Sequence, residues 1–253
     1  MGIVSLDSYR AEAEHFYTTD PDYQSDAAEM CGIIQRDIHD RVVAVDLEAT
    51  LVSDVVDALY KSEEERVDVF DRLRRPLSDE MLQALVDANN KVILWTSMMS
   101  YSAKAVLDSS RLKLPQSVRF AAREDYKQAL LSDESRRQVL QKIVEVSGKP
   151  QGYHNINRET PEEYYADVYA NWLRVKIPSV LGADVLIDDQ ALDHHRHFMP
   201  EKAFGHKEAA RFVGVDPFVI GSKSKLEQYL SDDRGLLDVV HRLPAVLDKI
   251  DRL

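Results

Sequence analysis

The chain has 253 residues, 44% of them hydrophobic and 30% charged, enough to bury a sizeable core as one large domain or one domain with a small cap. Its 32 basic against 44 acidic side chains give a formal charge of −12, which argues against nucleic acid as a partner, because phosphate contacts need a basic face. The single cysteine, Cys31, excludes an internal disulfide; with no apolar run long enough for a membrane span and no signal-peptide pattern, a cytoplasmic location is expected and a membrane partner is not.

In chain order, the first forty residues read as polar helices broken at "TTDPDY". "RVVAVD" then reads as a strand ending in Asp46. Residues 54–75 are acidic with a helical pattern, and residues 78–89 suggest a further helix. "KVILWT", 91–96, is a continuous apolar run of the kind found in a parallel sheet buried on both faces. A helix around 100–110, a short strand "VRFA" at 118–121 and an amphipathic segment at 133–147 follow, the last with Val139, Leu140, Ile143 and Val144 on one face.

"SGKPQGYHNINRETP" is a long polar connection that ends in a helix start, with Thr160 as N-cap, Pro161 in the first turn and Glu163 closing a capping box. The next helix carries Tyr165, Tyr169 and Trp172 at core-packing spacing, with Tyr164 beside them. "ADVLID", 183–188, is another apolar strand ending in acids, and "PFVIG", 217–221, reads as the last strand. Ser224 and Glu227 suggest a capping box that opens a C-terminal helix. Strands alternating with helices indicate an α/β fold with a mainly parallel central sheet.

Ligands of such a sheet sit beyond the carboxyl ends of its strands. Three apolar strands end in polar residues here: Asp46 after the first, Thr96 and Ser97 after the second, Asp188 and Asp189 after "VLI". Carboxylates gathered on one edge repel each other unless a cation neutralises them, and hard oxygen ligands favour Mg²⁺, which leaves room for phosphate oxygens. The constellation predicts a Mg²⁺ site that also accepts a phosphate. "DHHRH", with His194, His195 and His197, reads as a solvated loop, since adjacent histidines seldom complete a tetrahedral site. His154 and Arg158 read as part of a plain loop.

"DLEATLV" resembles the first motif of the haloacid dehalogenase superfamily, whose phosphotransferases carry Asp-x-Asp-x-Thr; "VILWTS" and "VLIDDQ" resemble its second and fourth motifs. Within it, "KVILWTSMMSYSAKAVLD", "VRFAARED", "RVKIPSVLGADVLIDDQ" and "VDPFVIG" resemble the NLI-interacting-factor-like branch, which includes phosphatases of the RNA polymerase C-terminal domain. The resemblance covers about residues 41–125 and 172–232. It implies a Rossmann-like three-layer sandwich and a Mg²⁺-dependent phosphomonoester hydrolase that forms an aspartyl-phosphate on Asp46. Mg²⁺ would be held by the Asp46 carboxylate, the main-chain carbonyl of Glu48 and an acid of the fourth motif, Asp188 or Asp189. Thr96 would hydrogen-bond a phosphoryl oxygen. Lys176, with Lys149 and Lys127 as rivals, would neutralise phosphate and nucleophile.

Glu48 departs from the family pattern, which places an aspartate there to protonate the leaving group and then activate water. One more methylene moves the carboxyl by roughly an ångström, a displacement that can cost about a hundredfold in rate. A working enzyme, a slow one and a degenerate protein that only binds a partner all follow from this change. The expected organisation is a helical N-terminal extension over residues 1–40 and an α/β domain over 41–253, with a cap-like insertion at about 126–172 that selects a phosphoprotein or a small phosphorylated metabolite.

Overall fold

The computed structural model describes residues 6–53, 72–132, 176–190, 205–220 and 226–253, together with Glu134, Arg137, Gln138 and Gln141. Two helices lead: α1 (Leu6–Thr19) and α2 (Pro21–Asp37). They part at Asp20, whose carboxylate accepts from the Tyr23 amide at 2.8 Å while Pro21 occupies the first helical position, a start signal built from a side-chain cap and a residue with no amide to satisfy.

Among the described residues five strands follow, in the order β1 (Val42–Asp46), β2 (Lys91–Trp95), β3 (Arg119–Ala121), β4 (Val185–Asp188) and β5 (Phe212–Gly214). They form one sheet ordered β3-β2-β1-β4-β5 in which every pairing is parallel. Helices α3 (Ser78–Asp87), α4 (Ser100–Ser110), α5 (Arg123–Leu131), α6 (His206–Ala210), α7 (Leu226–Asp232) and α8 (Gly235–Arg252) surround it, with a 3₁₀ turn at Pro178–Leu181.

The apolar runs of the strands are explained by burial on both faces. Val43 and Val45 of β1, Val92 and Leu94 of β2, and Val185 and Ile187 of β4 face a core that includes Tyr9, Met30, Ile34, Leu82 and Leu243. Their alternates Ala44, Ile93, Trp95 and Leu186 face a second, smaller core with Tyr126, Leu130 and Leu181. The period of two along each strand supplies both layers. The N-terminal helices share the larger core, with α2 against α3 and α8 and α1 against α7. Among the described residues no helix is long and apolar enough to cross a membrane.

Two expectations are corrected. The last described strand is Phe212–Gly214, whereas residues 217–220 are irregular. Phe218 and Ile220 are buried and Val219 exposed, which imitates a strand's alternation. The Phe218 amide, however, donates to the Ala49 carbonyl at 2.7 Å, so this segment folds under the exit of β1 instead of widening the sheet. Residues 72–75 are not helical either: Arg74 bridges Val52 in antiparallel fashion. Residues 54–71, 221–225 and nearly all of 133–175 lie outside the described residues, and with them the capping boxes at Thr160 and Ser224, Lys149, His154, Arg158 and the Tyr164–Trp172 aromatics. His194, His195 and His197 also lie outside them.

Candidate functional site

β1 is the central strand, so its carboxyl end lies between the ends of β2 and β4. Asp46 stands in register with Trp95, which makes Thr96 the next residue along the same edge. Asp188 ends β4 and Asp189 follows it. Carboxylate oxygens of Asp46, Asp188 and Asp189 all lie within 4.8 Å of one another. Asp46 and Asp188 are buried, 6% and 1% exposed, so burial and proximity act together.

Lys176 enters this group from the segment before the 3₁₀ turn. Its ammonium donates to Asp46 Oδ1 and, at 2.9 Å, to Asp188 Oδ2. Asp188 Oδ1 accepts from the Gln190 amide at 2.7 Å. Burial lowers the affinity of Lys176 for its proton, but Asp188 and Asp46 outweigh it and hold the lysine above its ordinary value. Asp46 is held well above the usual carboxylate range: burial is the largest cause, Lys176 opposes it, and Asp188 and Asp189 add to it.

Among the described residues, Lys176 pairs with Asp46 and Asp188, and Asp189 stands beside them. The all-oxygen donor set and the raised Asp46 fit a divalent hard cation, which would return Asp46 to its ionised form.

The exit of β1 is a tight turn. The Leu51 and Val52 amides both donate to the Leu47 carbonyl, at 3.0 and 3.1 Å, and Ala49 has a left-handed φ of 56°, a strained backbone for a residue with a Cβ. The turn brings Thr50 back over Asp46. Its hydroxyl accepts from the Asp189 amide at 3.1 Å and faces Asp46 Oδ2 at 3.5 Å, the outer limit of a hydrogen bond. Thr50 therefore joins the ends of β1 and β4.

Thr96 is 1% exposed, and its hydroxyl accepts from the Met98 amide at 3.0 Å. That contact fixes the oxygen and leaves its proton to donate. Glu48 stands apart: its carboxylate is not among the converging oxygens and instead accepts from Arg72 Nη2 at 3.2 Å. Arg72 is buried, at 3% exposed.

The structure thus brings Asp46, Asp188, Asp189 and Lys176 together, sets Thr96 beside them, and directs the Glu48 side chain to Arg72. Of the rival lysines, Lys127 lies on α5. Sequence reasoning missed Thr50, Arg72 and Tyr126. Thr50 carried a signal, its place four residues after a strand-terminal acid. Tyr126 packs against Trp95 with ring centres 4.8 Å apart and planes tilted by 55°, and its hydroxyl accepts from the Ile177 amide at 3.0 Å, seating the segment that delivers Lys176. Compared with the known protein families and with curated proteins, the chain matches none.

Proposed function

We propose that this chain is a phosphomonoester hydrolase of the haloacid dehalogenase type, dependent on Mg²⁺ and acting through an aspartyl-phosphate on Asp46. The observation that carries the reading is the convergence of Asp46, Asp188 and Asp189, the first two paired with Lys176, at the carboxyl edge of a parallel sheet. Mg²⁺ held by those carboxylates, with the main-chain carbonyl of Glu48, would neutralise them and withdraw charge from the phosphoryl oxygens.

Lys176 holds one Asp46 oxygen and leaves the other to attack phosphorus. The bond from phosphorus to the leaving oxygen breaks, and that oxygen takes its proton from Glu48. Water then attacks the phosphorus, giving its proton to Glu48, and the phosphorus–oxygen bond to Asp46 breaks to release phosphate. Thr96 donates its hydroxyl proton to a phosphoryl oxygen during both transfers. A phosphoprotein or a small phosphorylated metabolite fits this chemistry.

The ion pair between Glu48 and Arg72 favours a second reading, a degenerate relative that binds a partner and turns nothing over, because it engages the carboxylate outside the acid cluster. One assay separates them. An aryl phosphate is offered with and without Mg²⁺ to the wild type, Asp46→Asn, Glu48→Asp and Glu48→Gln. The hydrolase reading expects Mg²⁺-dependent turnover that disappears in Asp46→Asn and falls in Glu48→Gln. A wild type inert toward several phosphate esters sinks it. A rate that rises in Glu48→Asp marks the extra methylene as an impairment.

A further inference from the structure

We infer that Arg75 is a positioning residue for the carboxylate site, holding the exit of β1 so that Thr50 can join Asp46 to the end of β4. Arg75 is 2% exposed. Its Nε and Nη2 donate to the two oxygens of Asp233 at 2.8 and 2.6 Å, the fork geometry that suits a guanidinium to a carboxylate. The remaining nitrogen, Nη1, donates to the Thr50 carbonyl at 3.2 Å and the Asp216 carbonyl at 2.9 Å. Those carbonyls belong to the segments that leave β1 and β5. One side chain therefore ties two strand exits to the head of α8.

Gly235 shows how closely this place is shaped. A Cβ there would lie 2.1 Å from Arg75 Nη2 and 3.2 Å from Asp233 Oδ1. Gly235 has no positive φ, so backbone freedom does not explain the glycine; the space taken by the guanidinium does. The β1 exit needs an outside hold because Ala49 is strained within it. With its carbonyl held, Thr50 presents its hydroxyl to the Asp189 amide and to Asp46. Arg75 touches neither acid and acts on both through Thr50. A lysine, with one compact ammonium, cannot span a carboxylate and two carbonyls in the same way.

Arg74 is the matched comparison. It is also buried, at 6% exposed, but its guanidinium goes to Glu14 and Tyr17 of α1 and to Asp79 of α3. If buried arginines here serve only stability, the two behave alike.

The inference rests on the Mg²⁺ site proposed above for one of its two readouts. The full chain is prepared as wild type, Arg75→Lys, Gly235→Ala and Arg74→Lys. Hydrogen exchange of the Asp189 amide is measured without metal, and Mg²⁺ affinity by calorimetric titration. Arg75→Lys and Gly235→Ala are expected to speed Asp189 exchange and to weaken Mg²⁺ binding by about tenfold or more, the scale set by residues that support metal ligands. Arg74→Lys is expected to lower Tm and leave both readouts within about twofold of wild type. Unchanged exchange and affinity in a folded Arg75→Lys overturns the inference, as does an equal loss in Arg74→Lys. Should Arg75→Lys fail to fold, Gly235→Ala, which keeps every charge, decides. A wild type that binds Mg²⁺ and hydrolyses nothing ends the hydrolase reading and leaves this one standing. A wild type that binds none leaves the exchange readout to decide.

Discussion

Two buried charged regions of this protein are settled in opposite ways. Along Arg72–Arg75 each guanidinium meets carboxylates: Arg72 meets Glu48, Arg74 meets Asp79 and Glu14, and Arg75 meets Asp233. At the strand ends, three carboxylates gather within 4.8 Å of one another, and Lys176 pairs with two of them, Asp46 and Asp188. Burying ions is costly, and a balanced pair recovers that cost only through good geometry. The arginine segment meets this condition through opposite charges, and Arg72 and Arg75 carry it to Glu48 and to the β1 exit. The strand ends gather like charges, and burial together with those neighbours raises Asp46. Pairing of opposite charges and gathering of like ones distinguish the two regions.

The largest expected effect breaks the carboxylate cluster. Asp46→Asn is expected to lower steady-state turnover of an aryl phosphate by roughly 10⁴-fold or more, the scale seen when a nucleophile is removed, while the circular dichroism spectrum is unchanged. Breaking the arginine segment costs stability instead. Arg75→Met leaves the partly buried Asp233 and the Thr50 and Asp216 carbonyls without their guanidinium donor, which should cost about 3–5 kcal/mol. Denaturant unfolding would report that as a lower midpoint at constant m-value. A cost under about 1 kcal/mol would place Arg75 among ordinary surface ion pairs.

A third experiment sets the regions against each other. Saturating Mg²⁺ should raise wild-type stability by about 2–3 kcal/mol at a hundredfold excess over its Kd. In Asp189→Asn that gain should vanish, because one of the three converging carboxylates is gone. An undiminished gain in Asp189→Asn would remove Asp189 from the metal site.

The smallest effect lies on the surface. Arg41 hydrogen-bonds Asp251, and this contact chiefly holds the Asp251 carboxyl below its usual value. A lowered folded value contributes stability that is present above the unfolded aspartate pKa, near 4, and is lost as pH falls through the lowered value. Urea midpoints of wild type and Asp251→Asn should therefore converge below about pH 4 and differ slightly above it. An equal gap at both ends of that range would remove Asp251 from the acid response.

Much of the frame is legible in the amino-acid order because its signals are local. "VVAVD", "KVILW" and "VLID" are apolar runs that only a sheet covered on both faces can bury, and each is followed at once by polar groups. The α2 start at Asp20 and Pro21 is equally local. The segment at 217–220 misleads for the same reason: alternation is a local property, and a strand is defined by what it pairs with. Phe218 pairs with Ala49, which lies far away in the chain.

The sequence by itself marked β1, β2 and β4 as buried strands and placed the acids that close β1 and β4. Only the tertiary structure decided that Lys176 is the lysine between Asp46 and Asp188, that Thr50 bridges two strand ends, that Glu48 turns to Arg72, and that Gly235 is small for the sake of Arg75. Lys176 lies 130 positions from Asp46, and Arg75 lies 158 from Asp233. Backbone propensity and side-chain period act over a few residues. The partner of a buried charge is chosen by whichever residue the packed sheet and helices bring within hydrogen-bond reach.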